Sequence, residues 1–135
     1  MQLQELNNLM QASAKDAVQY AKEEHQYTLD HSEKSLLLVD SILSELHQRE
    51  QSQQHSSEMI FTLCTMLGAY IGEIFIASVG GQWQQNLNDS AAPFIFVQYN
   101  DKEYPFASIC YHKITVDNSI TLRNYVKQAM ANAMQ

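Results

Sequence analysis

The chain has 135 residues, of which 45% are hydrophobic and only four are glycine and two proline. This size and composition indicate one globular domain and exclude disordered and collagen-like classes. Eight Lys and Arg stand against 15 Asp and Glu, a net charge of −7, which argues against a nucleic-acid-binding protein and favours a basic protein partner.

The start of the chain and its hydropathy predict a cytoplasmic protein. Residues 1–5 lack the basic and apolar segments of a secretory signal. No run of 18 apolar residues is present, so we expect no membrane association. We expect a single domain over residues 1–135.

The acidic residues are concentrated in the first half of the chain. Residues 1–60 contain 10 acidic and four basic residues, whereas residues 61–135 contain five and four. Because opposite charges steer association, a basic partner would approach the N-terminal helices. The alternative is that this charge serves solubility only.

The spacing of apolar residues predicts two N-terminal helices. The first extends from Leu3 to about His25 and the second over about residues 32–48, with a turn or short strand at 27–29 between them. Asp30, with Glu33 three positions later, has the pattern of a capping box and predicts the start of the second helix. Leu37 falls among polar residues on the outer side of that helix. Residues 48–57 indicate a polar loop or a frayed helix end.

The segment from Met59 to Val79 predicts a central helix that is nearly surrounded by other elements. Gly68 and Gly72 lie on one side of it, and each costs about 1 kcal/mol of helix propensity relative to Ala. We therefore expect a neighbouring element to approach closely there. Gly80 and Gly81 end the helix.

The pattern changes after Gly81 and completes an α+β fold. Residues 82–84 and 94–99 have the aromatic and β-branched character of strands, and residues 100–102 indicate a turn, so we expect an antiparallel sheet of two to four strands. Residues 105–115 fit either a helix opened by Pro105 or a strand. The segment from Asp117 to Ser119 predicts the start of a C-terminal helix.

Three short motifs resemble a bacterial family of uncharacterised domains. The first is L-D-x-S-E-x-S-L at 29–36, the second is L-G-x-Y-x-G-E at 67–73, and the third is G-G-x-W at 80–83. The resemblance extends over about residues 27–126 and implies a helix that leads into a sheet. It singles out Gly72, Glu73 and Trp83 and implies no activity, because the family has none assigned.

Glu73 lies in the narrow polar arc of the central helix and has two interpretations. A carboxylate on a nearly buried helix needs hydrogen-bond donors. It is either a structural group held by backbone donors or part of a ligand-binding or catalytic pocket between the central helix and the sheet. Tyr70, Trp83 and Tyr99 would line that pocket with it.

No motif for catalysis, a metal or a cofactor is present. His25, His31, His47 and His55 lack metal-ligand spacing and are interpreted as surface residues, as is His112. Cys64 is interpreted as a core residue, and Cys110 with His112 does not form a nucleophile pair. We therefore expect neither a cofactor nor a metal, and the chain is not expected to be an enzyme.

The sequence favours a non-enzymatic protein-binding domain, in concrete form a bacterial immunity-type protein that neutralises a basic toxin domain. The expected contact residues are Glu33, Leu37, Asp40, Ser44, His47 and His55. One alternative is a small-molecule-binding or catalytic domain with a pocket near Glu73. Another is a homodimeric structural module that pairs through Phe94, Phe96 and Tyr99.

Overall fold

The computed structural model describes residues 3–52, 57–86 and 94–133. Over these residues the fold is α+β, as predicted, with five helices and one antiparallel sheet. The helices are α1 (Leu3–His25), α2 (Leu36–Ser52), α3 (Ser57–Ser78), α4 (Phe106–Thr115) and α5 (Leu122–Ala133). The strands are β1 (Gln82–Asn86), β2 (Phe94–Tyr99) and β3 (Lys102–Tyr104).

Helix α3 is the centre of the core, as its apolar circumference predicts. It packs against α1 and α4 and also contacts α5 and β2. The side chains of Leu67, Tyr70, Ile71 and Phe75 have no exposed surface. Helix α1 covers one side of α3 with a row of buried residues at helical spacing, Leu6, Met10, Ala14, Ala17 and Ala21.

Both glycines of α3 lie where another element approaches. A Cβ at Gly68 would lie 2.7 Å from the backbone of Ala107, so α3 and α4 touch there without an intervening side chain. A Cβ at Gly72 would lie 2.1 Å from the Trp83 ring. The predicted close approach is confirmed at both positions. Gly80 follows the helix with a φ of +121°, a conformation that favours glycine.

The three strands occur in the order β1-β2-β3. Trp83 pairs with Val97, and Val97 pairs with Tyr104 across the second ladder. Because paired residues share a face of a sheet, these three side chains lie on one face, and all three are buried.

Residues 106–115 form helix α4, which decides between the two predicted alternatives. Pro105 precedes the helix rather than opening it as its first residue, with a φ of −89° and a ψ of 75°. Phe106, Cys110 and Ile114 face the core at helical spacing.

The start of the second helical segment differs from the prediction. A 3-10 turn occupies Glu33–Ser35, and its N-cap is Ser32, whose side chain accepts a hydrogen bond from the Ser35 amide. Asp30 is not the N-cap. Its Oδ1 accepts hydrogen bonds from the amide and hydroxyl of Ser32 at 3.1 and 2.6 Å. Helix α2 then continues to Ser52, past the predicted end near residue 48.

Helix α5 is capped by a residue distant in sequence. The predicted start from Asp117 to Ser119 is wrong, because Asp117 instead accepts from the amide and hydroxyl of Ser119 in its own turn. The amides of Leu122 and Arg123 donate to the two carboxylate oxygens of Asp40 at 2.6 and 2.9 Å. A side chain of α2 thus satisfies two free N–H groups at the start of α5.

Helix α3 is the one helix, among the residues described, that is long and apolar enough to cross a membrane. Within its most apolar 18-residue window, 61% is buried inside the fold. The core helix of a soluble protein has these properties.

Candidate functional site

The described residues form an apolar groove of about 1020 Å³ beside α3. Its lining comprises Leu9 and Met10 of α1, the outer side of α3 between Ser57 and Gly68, Trp83, Gln85 and Ile95 of the sheet, and Ala107, Ser108 and Tyr111 of α4. The groove lies between elements that position it rigidly, since α1, α4 and the sheet all pack on α3.

Large apolar side chains stand exposed along this groove. Leu9 is 43% exposed, Phe61 65% and Tyr111 49%. Thr62 and Thr65 donate their hydroxyl hydrogen bonds to carbonyls one turn earlier on α3, each at 2.9 Å. The hydroxyl hydrogens of these two threonines are therefore already used, and this part of the surface behaves as more apolar than its composition indicates.

Trp83 forms part of the groove wall and is fixed from two directions. Its ring lies on Gly72, the position where a side chain would collide with it. Its Nε1–H donates a hydrogen bond of 2.9 Å to Glu73 Oε2. Among the described residues, Glu73 is therefore held by a side-chain donor, and not by the backbone donors of the structural interpretation.

The four residues predicted to share one pocket are divided by the structure. Glu73 and Trp83 line a second, smaller cavity of about 130 Å³, together with Asn7, Gln11, Ile76, Gly81 and Gln82. Tyr70 and Tyr99 line neither this cavity nor the apolar groove. The structure therefore corrects the expectation that Tyr70 and Tyr99 converge with Glu73.

Tyr70 instead ties α3 to the turn before α2. Its hydroxyl accepts from the His31 amide at 2.8 Å and donates to Ser35 Oγ at 2.7 Å, while Ser35 Oγ donates to the Ser32 carbonyl. Burial raises the pKa of the Tyr70 hydroxyl. The motif at 29–36 and the motif at 67–73 are thus joined by direct hydrogen bonds.

The predicted contact residues of the second helical segment follow one row, which we name the acidic stripe: Glu33, Leu37, Asp40, Ser44 and His47. Glu33 is exposed and Leu37 is 42% exposed. Asp40 caps α5, and His47 Nδ1 lies 2.8 Å from the Ile114 carbonyl oxygen. Ser44 is half-buried. The C-terminal part of the chain therefore occupies much of this stripe. His55 lies outside the described residues.

Two of the aromatic residues proposed to pair in a homodimer, Phe96 and Tyr99, are packed into the fold. Phe96 is 6% exposed, and Tyr99 packs against the core. Of Phe94, the structure describes the backbone in β2 but not the side chain. Neither Phe96 nor Tyr99 offers a free ring for pairing between two copies.

Two buried polar groups are not predicted by the sequence. His25, interpreted as a surface residue, has a fully buried side chain between Glu45 Oε2 at 2.7 Å and Tyr20 Oη at 2.9 Å. Lys113 is 4% exposed, donates to the carbonyls of Asn118 and Ile120, and lies 3.6 Å from Asp40. Lys113 follows Cys110 at helical spacing, but a lone lysine gives no signal of burial.

The two thiols offer little reactivity. Burial raises the pKa of the Cys64 thiol to about 12 and that of Cys110 well above its ordinary range, so both are protonated at neutral pH. Over the described ranges, no three His, Cys, Asp or Glu side chains are grouped as metal ligands.

Comparisons with family models, with curated proteins and with solved structures find no match to this chain. The resemblance carried by the three motifs therefore stays a prediction.

Proposed function

We propose that the chain is a non-enzymatic binding domain whose site is the apolar groove, and that its occupant is an amphipathic helix of a protein partner. The observation that carries this proposal is the exposure of Leu9, Phe61 and Tyr111 along one concave surface. Contiguous exposed apolar surface of this kind typically marks an interaction site.

The dimensions of the groove support a helix as occupant. Its floor on α3, from Ser57 to Gly68, is about 17 Å long, which corresponds to about three turns of a second helix. Helices that bind in such grooves place side chains at i, i+3 and i+4 against apolar walls. The groove volume of about 1020 Å³ lies at the upper end of the range of small-molecule sites.

The charge of the chain supports a basic partner. The net charge is −7, and Glu58 is the one charged residue among the described residues that line the groove. A helix with Lys and Arg on its outer side would be steered towards this surface. In concrete form, we propose a cytoplasmic immunity-type protein that neutralises a basic toxin domain.

A titration with a model peptide tests the groove. The peptide is a basic amphipathic helix of about 12 residues without tryptophan, and the control is the same composition in scrambled order. Trp83 is the chain's single tryptophan and lines the groove, so its emission reports occupancy. We expect a saturable change with the amphipathic peptide and a much weaker one with the scrambled peptide.

Two matched substitutions locate the site. Phe61 and Val116 are 65% and 64% exposed, but only Phe61 lines the groove. We expect Phe61→Gln to weaken peptide binding about 30-fold or more, because loss of a large apolar anchor costs at least about 2 kcal/mol, and Val116→Gln to leave it unchanged. Equal effects of the two substitutions, or no binding of the peptide, would overturn the proposal.

A further inference from the structure

The smaller cavity beside Glu73 contains one carboxylate and three side-chain amides. Its volume is about 130 Å³, and it is separated from the apolar groove by Trp83, which lines both. Its polar lining consists of one carboxylate and the side-chain amides of Asn7, Gln11 and Gln82. No Lys, Arg or His is among the described residues that line it.

One oxygen of the Glu73 carboxylate accepts no hydrogen bond from the described residues. Oε2 accepts the indole N–H of Trp83. Within the described part of the chain, Oε1 has no hydrogen-bond donor, although the side chain is half-buried. A half-buried carboxylate without a cation gains from a charged donor, because such hydrogen bonds are stronger than those from neutral groups.

We propose that this cavity is a subsite for an alkylguanidinium group, contributed by an arginine of the partner whose apolar residues occupy the groove. This inference rests on the proposed function, since the groove and the cavity share Trp83 as a wall. A guanidinium is planar and carries five donors, so it can pair with Glu73 and donate to the neighbouring amide oxygens. The indole adds a surface on which a cation is favourable.

The indole resonance of Trp83 gives a direct test. With one tryptophan in the chain, the heteronuclear NMR spectrum contains a single indole N–H signal, and that N–H is the donor to Glu73. We expect ethylguanidinium chloride to shift this signal saturably, ethylammonium chloride to shift it less, and sodium chloride at the same ionic strength not to shift it. Equal shifts with all three salts would overturn the subsite.

Three variants separate the subsite from general charge effects. Glu73→Gln keeps an acceptor for Trp83 but removes the charge, and we expect it to abolish the saturable shift. Asn7→Leu narrows the cavity from α1 without touching the Trp83–Glu73 bond, and we expect the same loss. Glu58→Gln removes one charge from the groove but not from the cavity, and we expect the shift to persist.

The basic model peptide then identifies the source of the guanidinium. We expect a peptide with one arginine placed to reach Trp83 to bind about fivefold tighter than the same peptide with uncharged, isosteric citrulline. This difference should vanish in Glu73→Gln. If both peptides bind equally, the arginine subsite is wrong while the groove proposal stands. If neither binds, the groove proposal fails, and a saturable ethylguanidinium shift would assign the cavity to a free guanidinium compound instead of an arginine.

Discussion

Gly72, Glu73 and Trp83 form the smallest unit on which the proposed site depends. The ring of Trp83 occupies the space that a side chain at position 72 would need, and the carboxylate of Glu73 fixes its indole N–H. Gly72 and Glu73 therefore fix the position of Trp83, which lines the groove. Trp83 follows Glu73 by ten positions and Gly72 by eleven. Gly72 and Glu73 are adjacent on α3, and Trp83 is the second residue of β1.

Gly72→Ala tests this unit directly. Its Cβ would lie 2.1 Å from the Trp83 ring, so the indole must move. We expect a loss of about 2 kcal/mol in the free energy of unfolding, as for an overpacked core, and a shifted Trp83 emission maximum. Urea unfolding followed by fluorescence measures both. An unchanged stability and emission would show that the indole does not rest on Gly72.

Among the elements, the contact between α2 and the start of α5 explains why the acidic stripe differs from its prediction. Asp40 was predicted to face a partner, yet it receives the amides of Leu122 and Arg123 and lies near the buried Lys113. Part of the contact surface predicted from charge alone is therefore an intramolecular contact between α2 and α5. The sequence gives no signal that Asp40 caps α5, because the two donors are 82 and 83 positions away along the chain.

Asp40→Asn should loosen α5. The substitution weakens the cap and leaves Lys113 without its nearby carboxylate, and we expect a loss of about 2 kcal/mol in unfolding free energy. Hydrogen exchange should become faster in the amides of α5 than in those of α3. Asp16→Asn, at an exposed position of α1, is the matched control and should change neither quantity. Similar exchange in α5 for both variants would refute the capping role.

The two Asp-x-Ser turns predict a pH dependence. Hydrogen bonds from Ser32 lower the pKa of Asp30 below its ordinary value of 3.8, and those from Ser119 do the same for Asp117. A lowered pKa in the folded state means that these carboxylates stabilise the fold above pH 3.8 and that this contribution is lost as the pH falls through the folded value.

The double variant Asp30→Asn, Asp117→Asn should therefore lose stability less steeply than the original chain as the pH falls below 3.8. Urea unfolding midpoints at neutral pH and along an acid series measure the slope. The same slope in both proteins would show that these turns do not carry the dependence.

The elements that the sequence predicts well are those whose signal is local. The apolar period of α1 and α3, the glycine pair of α3 and the strands around Trp83 and Val97 all appear where expected, because burial on one face leaves a periodic trace. The predicted helix starts at Asp30 and Asp117 are wrong. In both segments a Ser lies two positions after the Asp, and the Asp side chain accepts its hydrogen bonds in a turn instead of capping a helix. The groove was not predicted, because it arises where α1, α4 and the sheet meet α3.

At the scale of the whole molecule, the groove is a surface that a second copy of the chain could cover. Phe96 and Tyr99 are packed against the fold rather than exposed, so a sheet-mediated dimer has little apolar surface to bury. We expect the sedimentation coefficient to be independent of protein concentration. A concentration-dependent increase that Phe61→Gln abolishes would assign the groove to a second copy instead of a partner helix.

The net charge of −7 and the groove together define what the whole molecule offers a partner. Charge steers a basic protein towards the N-terminal helices, whereas the groove beside α3 supplies the apolar surface on which affinity depends. Glu33 and Leu37 remain exposed on the acidic stripe and are the competing contact surface.

The most direct measurement is the map of amide and indole NMR shifts as the basic amphipathic peptide is added to the full chain. We expect the largest shifts at Leu9, Phe61, Tyr111 and the Trp83 indole, with little change at Glu33 and Leu37. Shifts confined to the acidic stripe, with the groove residues and Trp83 unmoved, would contradict binding in the groove.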